Sequence, residues 1–262
     1  AGAYWRGSEK NKMLTRIYGT CFPTKAELDA YLLQLEESKK RDHRKIGQEM
    51  DLFSISPLTG QGLILWHPKL AIVRNIVEQY WKNEHYKRGY QLVFTPHIAS
   101  VDMFVKSRHL SKYVNSMFPV MLHEYIEGES APDYTTDEVL KPMNCPNHIQ
   151  IYKSRPRSYR ELPLRIGELG TVYRYERAGV LHGMTRVRGF TQDDSHIFCT
   201  SEQVIDEVKG VLRIMKDFYR LFGFSDYQAY IATRPKKYLG SLQMWNFAED
   251  SLKKAAADEG FD

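Results

Sequence analysis

The chain has 262 residues, 42% of them hydrophobic and 26% charged, which are the proportions of an ordinary folded domain with a sizeable core. It has no apolar run that could cross a membrane, and its start lacks the basic and then apolar pattern of a signal peptide, so we expect neither a membrane nor a secreted protein. The net charge of +5 permits an anionic partner without requiring one, and the three scattered cysteines indicate a reducing, cytoplasmic location rather than a disulfide framework.

The first predicted element is a helix that begins at a capping box, Thr24 to Glu27. Leucines at helical spacing follow it, at Leu28, Leu32 and Leu35. The charged stretch EESKKRDHRK then indicates an exposed helix end or a linker. We therefore expect a boundary near residue 41, with a linker and helix at 1–41 and a larger domain at 42–262.

The middle of the chain predicts strands and one long helix. Short apolar runs with turn signals such as SPLTGQG begin at Asp51 and indicate strands. An amphipathic helix that ends near Gly89 precedes YQLVFTP, which predicts a strand stopped by Pro96. The helix is marked by apolar residues at Ile72, Val73, Ile76, Val77, Tyr80 and Trp81. Residues 118–140 predict a loop or the tip of a hairpin.

A second capping box, Thr200 with Gln203, predicts another helix, closed by Gly223. Its apolar stripe should face the core, and it runs through Val204, Val208, Leu212, Met215, Tyr219 and Phe222. Strands dominate the middle of the chain and helices flank them. The expected fold class is therefore α+β, with an antiparallel sheet flanked by helices.

Residues 174–199, RYERAGVLHGMTRVRGFTQDDSHIFC, predict two strands joined by a glycine-containing loop. Arg174 and Glu176 open the first strand, and Arg186 and Arg188 open the second. The second strand continues through alternate positions at Phe190, Gln192, Asp194 and His196. Because side chains alternate along a strand, the second-strand residues should share one face. An ATP-dependent active site would use this mixture, and cross-strand ion pairs with Glu176 and Asp194 are the structural alternative.

This segment resembles motif 2 of the class II aminoacyl-tRNA synthetases. In detail, RVRGFTQDDSHIF together with the upstream KPMNCPNH resembles the threonyl-tRNA synthetases. The resemblance extends over nearly the whole chain, from AGAYWRG to TRPKK. It implies the catalytic fold of class II synthetases, with ATP, L-threonine and tRNA(Thr) as substrates and partners.

The resemblance also assigns roles in ATP binding. Arg174 is implied to hold the α-phosphate and Arg186 the γ-phosphate of a Mg²⁺-bound ATP, which suits the planar, permanently charged guanidinium. Glu176 would lie near the adenine amino group, and Phe190 would stack on the adenine ring. The loop between the strands would reach toward the acceptor end of tRNA.

For threonine, the resemblance implies a zinc ion held by Cys145 and His196. Shape alone separates threonine from valine by only about 10², whereas a metal with an open position can bind the threonine amino group and hydroxyl together. Asp194 would accept the hydroxyl proton and Gln192 would orient the carboxylate or amino group. Met143 would close the apolar side of the pocket, or is otherwise a core residue.

The chain also departs from the family pattern. The family's third zinc ligand is a downstream histidine, and neither it nor motif 3 has a match here, so we expect 42–262 to be a partial catalytic domain. Residues 1–41 would then trail the editing region. His109, in KSRHLSKY, matches a family motif that assists transfer to the tRNA ribose, but Arg108 replaces the family glycine. His109 is otherwise a surface histidine.

The helix and strand at 70–96 resemble motif 1, which implies a homodimer, whereas the pattern alone favours a core helix beside a strand. Two other functions stay open. A prolyl or seryl synthetase shares the arginines, but the zinc-ligand residue types favour threonine. A non-catalytic RNA-binding relative could keep the fold, and the intact site residues weigh against it.

Overall fold

The computed structural model describes residues 3–7, 10–15, 17–121 and 137–261. The chain divides into two compact units, each assembled from three separate stretches of sequence. The first unit comprises Ala1–Val77, His97–Met143 and Thr171–Thr191. The second unit comprises Glu78–Pro96, Asn144–Gly170 and Gln192–Asp262.

The helices of the described residues are α1 (Lys25–Lys40), α2 (His43–Glu49), α3 (Pro68–Lys87), α4 (Val101–Lys106), α5 (His109–Tyr113), α6 (Cys145–Lys153), α7 (Val204–Leu221) and α8 (Leu242–Asp258). Of these, α1, α3, α7 and α8 are long helices of 16 to 20 residues, and α2, α4, α5 and α6 are short. None of the helices in the described part of the chain is long and apolar enough to cross a membrane.

The strands of the described residues form small pairs and one three-stranded sheet. They are β1 (Ala3–Tyr4), β2 (Met13–Leu14), β3 (Phe53–Ile55), β4 (Ile64–Trp66), β5 (Gln91–Leu92), β6 (Ile98–Ser100), β7 (Glu138–Leu140), β8 (Leu164–Tyr173) and β9 (Gly189–Phe198). The pairs β1–β2, β3–β4 and β6–β7 are antiparallel. The larger sheet has the order β5-β8-β9, and its β5–β8 pair is parallel.

Local sequence signals explain where the principal helices begin and end. The Thr24 side chain accepts a hydrogen bond from the Glu27 backbone N–H, so the predicted cap of α1 is confirmed. The predicted capping box of Thr200 and Gln203 is also confirmed, ahead of α7. Gly223 ends that helix with a φ of +75°, a left-handed conformation that glycine adopts without steric cost. These capping residues act within one turn of the helix, so they can be predicted from the sequence alone.

Several strand predictions were wrong in their limits. The strand predicted for YQLVFTP covers only Gln91–Leu92. Strand β8 ends at Tyr173 and β9 begins at Gly189, so Arg174, Arg186 and Arg188 lie outside both strands. The glycine-containing loop is therefore longer than predicted, and its ends carry the arginines. The tip predicted within 118–140 falls largely on residues 122–136, which lie outside the described residues.

The prediction that the α7 stripe is core was wrong at its C-terminal end, where Tyr219 and Phe222 expose 38% and 51% of their surface. The rest of the predicted stripe is half-buried, at Val204, Val208, Leu212 and Met215. The buried residue of α7 is Glu207. Its carboxylate oxygens accept two hydrogen bonds from the Arg165 guanidinium, at 2.5 and 2.6 Å. A bidentate pair of this kind compensates a buried carboxylate, so the inward face of α7 includes one charged residue beside its half-buried apolar ones.

Each unit has its own packed centre. In the first unit Phe104, Met117 and Val139 form a buried cluster. In the second unit Trp81 and His85 stack with ring centroids 3.9 Å apart, and Tyr90 packs against His85 at 4.7 Å. The mixture of helices and sheets confirms the predicted α+β class.

Candidate active-site residues in the two units

Arg174 lies directly after β8 in the first unit. Its guanidinium lies over the ring of Phe190, 5.1 Å from the ring centroid, and its Nε donates to the carbonyl of Pro142 at 3.2 Å. The backbone N–H of Arg174 donates to the carbonyl of Arg188 at 2.9 Å, which ties the two ends of the loop together. The structure thus joins the residue predicted to bind phosphate to the residue predicted to stack on adenine.

Arg186 and Glu176 form an ion pair in the same unit, with Nη2 and Oε2 3.1 Å apart. The Arg186 side chain is 58% exposed and that of Glu176 is 20% exposed. The structural alternative given for these residues, an ion pair, is therefore present, but an exposed pair of this type is weak. Arg188 donates to the Glu176 carbonyl at 2.9 Å and lies over the Tyr175 ring at 4.7 Å.

The loop between these arginines is held by helix α2. The Nε2 atom of His43 accepts a hydrogen bond from the Met184 backbone N–H at 3.0 Å. Gly183 has a φ of +49°, and a Cβ atom there would lie 2.1 Å from His43 Nε2. The loop therefore needs glycine at this position both for its conformation and for the close approach of the imidazole.

The second unit brings together three side chains of metal-ligand type. Cys145 opens α6, and Asp194 and His196 lie on β9. Their ligand atoms all lie within 4.8 Å of one another. A thiolate, an imidazole and a carboxylate form a donor set that suits zinc, with room for a further ligand on a tetrahedral ion. Asp194, predicted to contact the substrate, thus lies beside both predicted zinc ligands.

Asn144 holds the Asp194 carboxylate in place. Its Nδ2 donates to Asp194 Oδ2 at 3.0 Å, and its side chain is fully buried. A Cβ atom at Gly170 would lie 2.3 Å from that Nδ2, so only glycine leaves room for the amide. The buried Oδ1 of Asn144 accepts no hydrogen bond from the described residues. One polar atom beside the cluster is therefore unsatisfied, as expected of a site built to meet a further group.

Behind His196 lies a second histidine. The Nδ1 atoms of His196 and His148 are 2.8 Å apart, and His148 Nε2 lies 3.0 Å from Glu168 Oε2. Burial lowers the pKa of His196, which favours the neutral ring that a metal requires, although the neighbouring Asp194 acts in the opposite direction.

The other predicted residues are placed as follows. Met143 is half-buried two residues before α6, and Gln192 is half-buried in β9. His109 is the first residue of α5, and its Nδ1 lies 2.8 Å from Ser107 Oγ. Burial lowers the pKa of His109. Arg108 has a φ of +61°, the left-handed region in which glycine is favoured.

Comparison with known proteins identifies the family. Residues 130–260, half of the 262-residue chain, match the family model described as the tRNA synthetase class II core domain (G, H, P, S and T). The chain belongs to this family of class II tRNA synthetases. The matched residues include the arginines at 174 and 186 and the cluster of Cys145, Asp194 and His196. The resemblance to class II synthetases found in the sequence is confirmed.

Relatives of this class II synthetase chain include the threonine--tRNA ligase of Sulfurihydrogenibium sp., which is 52% identical over all of this chain and 39% of its own length. The chloroplastic/mitochondrial threonine--tRNA ligase 2 of Arabidopsis thaliana is 50% identical, again over all of this chain and 39% of its own length. The chain thus spans about two-fifths of these relatives.

Among solved structures, a threonyl-tRNA synthetase RNA-binding domain from Cryptosporidium parvum matches with a TM-score of 0.75. It is 36% identical and the match covers 85% of this chain and 52% of that one. The class II core fold is therefore confirmed for this chain.

Two residues that lie beside the candidate metal site, Glu168 and Asn144, were not predicted from the sequence, and His148 was assigned no role. His148 stands three residues after Cys145, a spacing that resembles a ligand pair, yet it contacts His196 instead. Glu168 is a carboxylate between Gly167 and Leu169 in the middle of β8, and a charge within such an apolar run was the available signal. Asn144 carried no signal, because its role depends on the space at Gly170.

Proposed function

We propose that this chain is the catalytic core of a threonine--tRNA ligase, which activates L-threonine with ATP and transfers it to tRNA(Thr). The observation that carries the proposal is the Cys145, Asp194 and His196 cluster, because it supplies zinc-ligand chemistry that a threonine pocket needs. The names and the 50% and 52% identity of the two relatives, over the whole chain, support it.

In the activation step, the threonine carboxylate would attack the α-phosphorus of ATP in line, forming threonyl-adenylate and releasing pyrophosphate. Arg174 and Arg186 would neutralise charge on the phosphates alongside the Mg²⁺ that accompanies ATP. The ion pair of Arg186 with Glu176 is exposed, so phosphate oxygens can compete for the guanidinium. Phe190 would stack on adenine and Glu176 would accept from its amino group.

In the threonine pocket, Cys145 and His196 would hold zinc. When bound, zinc supplies a Lewis acid with open positions for the substrate amino group and hydroxyl. Asp194 would accept the hydroxyl proton, and its attachment to Asn144 fixes the carboxylate. Gln192 would orient the substrate, and Met143 would contact its methyl group. Valine lacks the hydroxyl and would leave these polar groups unpaired, which costs more than a lost methyl contact.

For the transfer step, His109 would assist the attack of the tRNA terminal hydroxyl on the activated carbonyl. Its lowered pKa favours a neutral imidazole near pH 7, the form that can accept a proton. The loop from Arg177 to Thr185, braced by His43, would contact the acceptor end.

We also propose a homodimer formed through the helix and strand at 70–96. Ile72, Val73 and Ile76 on α3 expose 61%, 52% and 64% of their surface. Such a contiguous apolar group on one helix face is typical of an interface. The boundary between 1–41 and a partial catalytic domain at 42–262 stays a prediction, and so does the cytoplasmic location, since the Arabidopsis relative is named chloroplastic/mitochondrial.

The test is aminoacylation by the full-length protein that carries this chain. Labelled threonine with tRNA(Thr), and labelled proline with tRNA(Pro), should give charging only in the first pair. Charging with proline would transfer the assignment to the prolyl enzyme. Binding of tRNA without charging by either amino acid would favour a non-catalytic RNA-binding protein.

A further inference from the structure

Within the second unit, a row of hydrogen bonds runs from His196 through His148 to Glu168. His196 Nδ1 lies 2.8 Å from His148 Nδ1, and His148 Nε2 lies 3.0 Å from Glu168 Oε2. Glu168 Oε1 accepts from the Thr95 backbone N–H at 2.7 Å. His148 is fully buried, and Glu168 is 4% exposed. Water therefore has little access to His148 and Glu168, and the hydrogen bonds between protein groups determine which ring nitrogens carry protons.

The order of donors follows from the Glu168 end. An ionised carboxylate only accepts hydrogen bonds, so the proton of a neutral His148 must be on Nε2, facing Glu168. The Nδ1 atom of His148 then has only a lone pair, and it must accept. His196 must therefore donate from its own Nδ1, which leaves its Nε2 with a free lone pair. Zinc binds such a neutral imidazole nitrogen.

We propose that His148 and Glu168 are positioning residues that fix the tautomer of His196, so that its Nε2 is the atom offered to the metal. This inference rests on the proposed zinc site. In general, a metal-bound histidine donates its second ring N–H to a fixed acceptor, and loss of such an acceptor weakens metal binding about 10- to 100-fold. Here the acceptor is a second histidine, whose own orientation depends on a carboxylate.

The isosteric substitution Glu168→Gln should exchange donor and acceptor in both hydrogen bonds of His148, the one to residue 168 and the one to His196. The Thr95 N–H must still meet an oxygen, so the amide oxygen of the substituted side chain would take the Oε1 position. The amide NH₂ would then face His148 Nε2 and donate to it. His148 would carry its proton on Nδ1 and donate to His196 Nδ1, and His196 would become protonated on Nε2. Replacing one oxygen of Glu168 by an NH₂ group thus places a proton on Nε2 of His196, which then has no lone pair to offer to zinc.

The experiment measures ¹⁵N and ¹H couplings of the histidine rings, together with zinc affinity by competition with a chelator, in the metal-free full-length protein that carries this chain. The wild-type chain should show His196 protonated on Nδ1. Glu168→Gln should shift the proton to Nε2 and weaken zinc binding by about tenfold or more, with a folded-state circular dichroism spectrum. Glu161→Gln, which changes a half-buried carboxylate paired with Arg155 in the same unit, should change neither property.

A wild-type His196 that carries its proton on Nε2 overturns the inference without any variant. An unchanged tautomer and zinc affinity in folded Glu168→Gln overturns it as well. If the full-length wild-type protein shows the expected tautomer but binds no zinc, the inferred role of His148 and Glu168 in setting the tautomer stands, and it is the zinc site of the proposed function that fails.

Discussion

The guanidinium of Arg186 and the carboxylate of Glu176 form an exposed ion pair, with Nη2 3.1 Å from Oε2. Pairs this exposed contribute about 0–1 kcal/mol, so the arginine is held in position without being firmly bound. A polyphosphate, which offers several charged oxygens, can replace the carboxylate at little cost. The ion pair and the proposed phosphate role of Arg186 are therefore compatible.

Arg186→Ala should lower the rate of adenylate formation by about 10²-fold or more, because it removes a cation that neutralises charge in the transition state. The KM for threonine should change by less than about threefold. ATP–pyrophosphate exchange measures both quantities. Arg41→Ala, at an exposed arginine 78% open to solvent, is the matched control. An equal loss in rate and in threonine affinity would contradict the role.

Asp194→Asn should reduce the preference for threonine over valine by about tenfold, because the amide no longer accepts the substrate hydroxyl proton as a carboxylate does. The ratio of kcat/KM for the two amino acids measures the preference. The control is Asp250→Asn, at a carboxylate of α8 whose side chain is 77% exposed. If Asp194→Asn keeps the wild-type preference for threonine over valine, Asp194 does not contact the substrate hydroxyl.

Arg108→Gly should raise the free energy of unfolding by roughly 0.5–1 kcal/mol. The residue has a φ of +61°, and the left-handed conformation costs a non-glycine residue about 1–2 kcal/mol, partly offset by the greater freedom of glycine in the unfolded chain. Urea unfolding measures the change. Lys112→Gly, inside α5, should instead lower stability by about 1 kcal/mol. A loss of stability in Arg108→Gly would show that the arginine side chain matters more than the strain.

Stability should fall as the pH is lowered below about 6.5. Burial lowers the pKa of His85, which stacks on Trp81 and is 5% exposed. Below the ordinary pKa of about 6.5, the unfolded chain binds more protons than the folded one until the lowered pKa is passed, so stability decreases with falling pH through that window and is flat above it. His85→Phe should reduce this slope, which urea unfolding at several pH values measures. The same slope in both proteins would exclude His85 as its source.

Features that depend on neighbouring residues in the chain could be predicted from the sequence, whereas features that depend on packing between distant segments could not. The capping residues Thr24 and Thr200 act within one turn and were read correctly. The bounds of β8 and β9 depend on pairing between distant segments, so the arginines were wrongly placed inside the strands. The contact of His148 with His196 spans 48 residues and required the fold. The left-handed φ of Arg108 is a conformation that glycine adopts without steric cost, so arginine at this position carries a cost that the sequence alone did not show.

The most direct measurement of the central claim is ATP–pyrophosphate exchange by the full-length protein that carries this chain, with threonine, serine and valine, before and after zinc removal by a chelator. We expect exchange with threonine, weaker exchange with serine and little with valine. Chelation should abolish the exchange, and added zinc should restore it. Threonine-dependent exchange that persists unchanged in metal-free protein would contradict a threonine pocket built on Cys145 and His196.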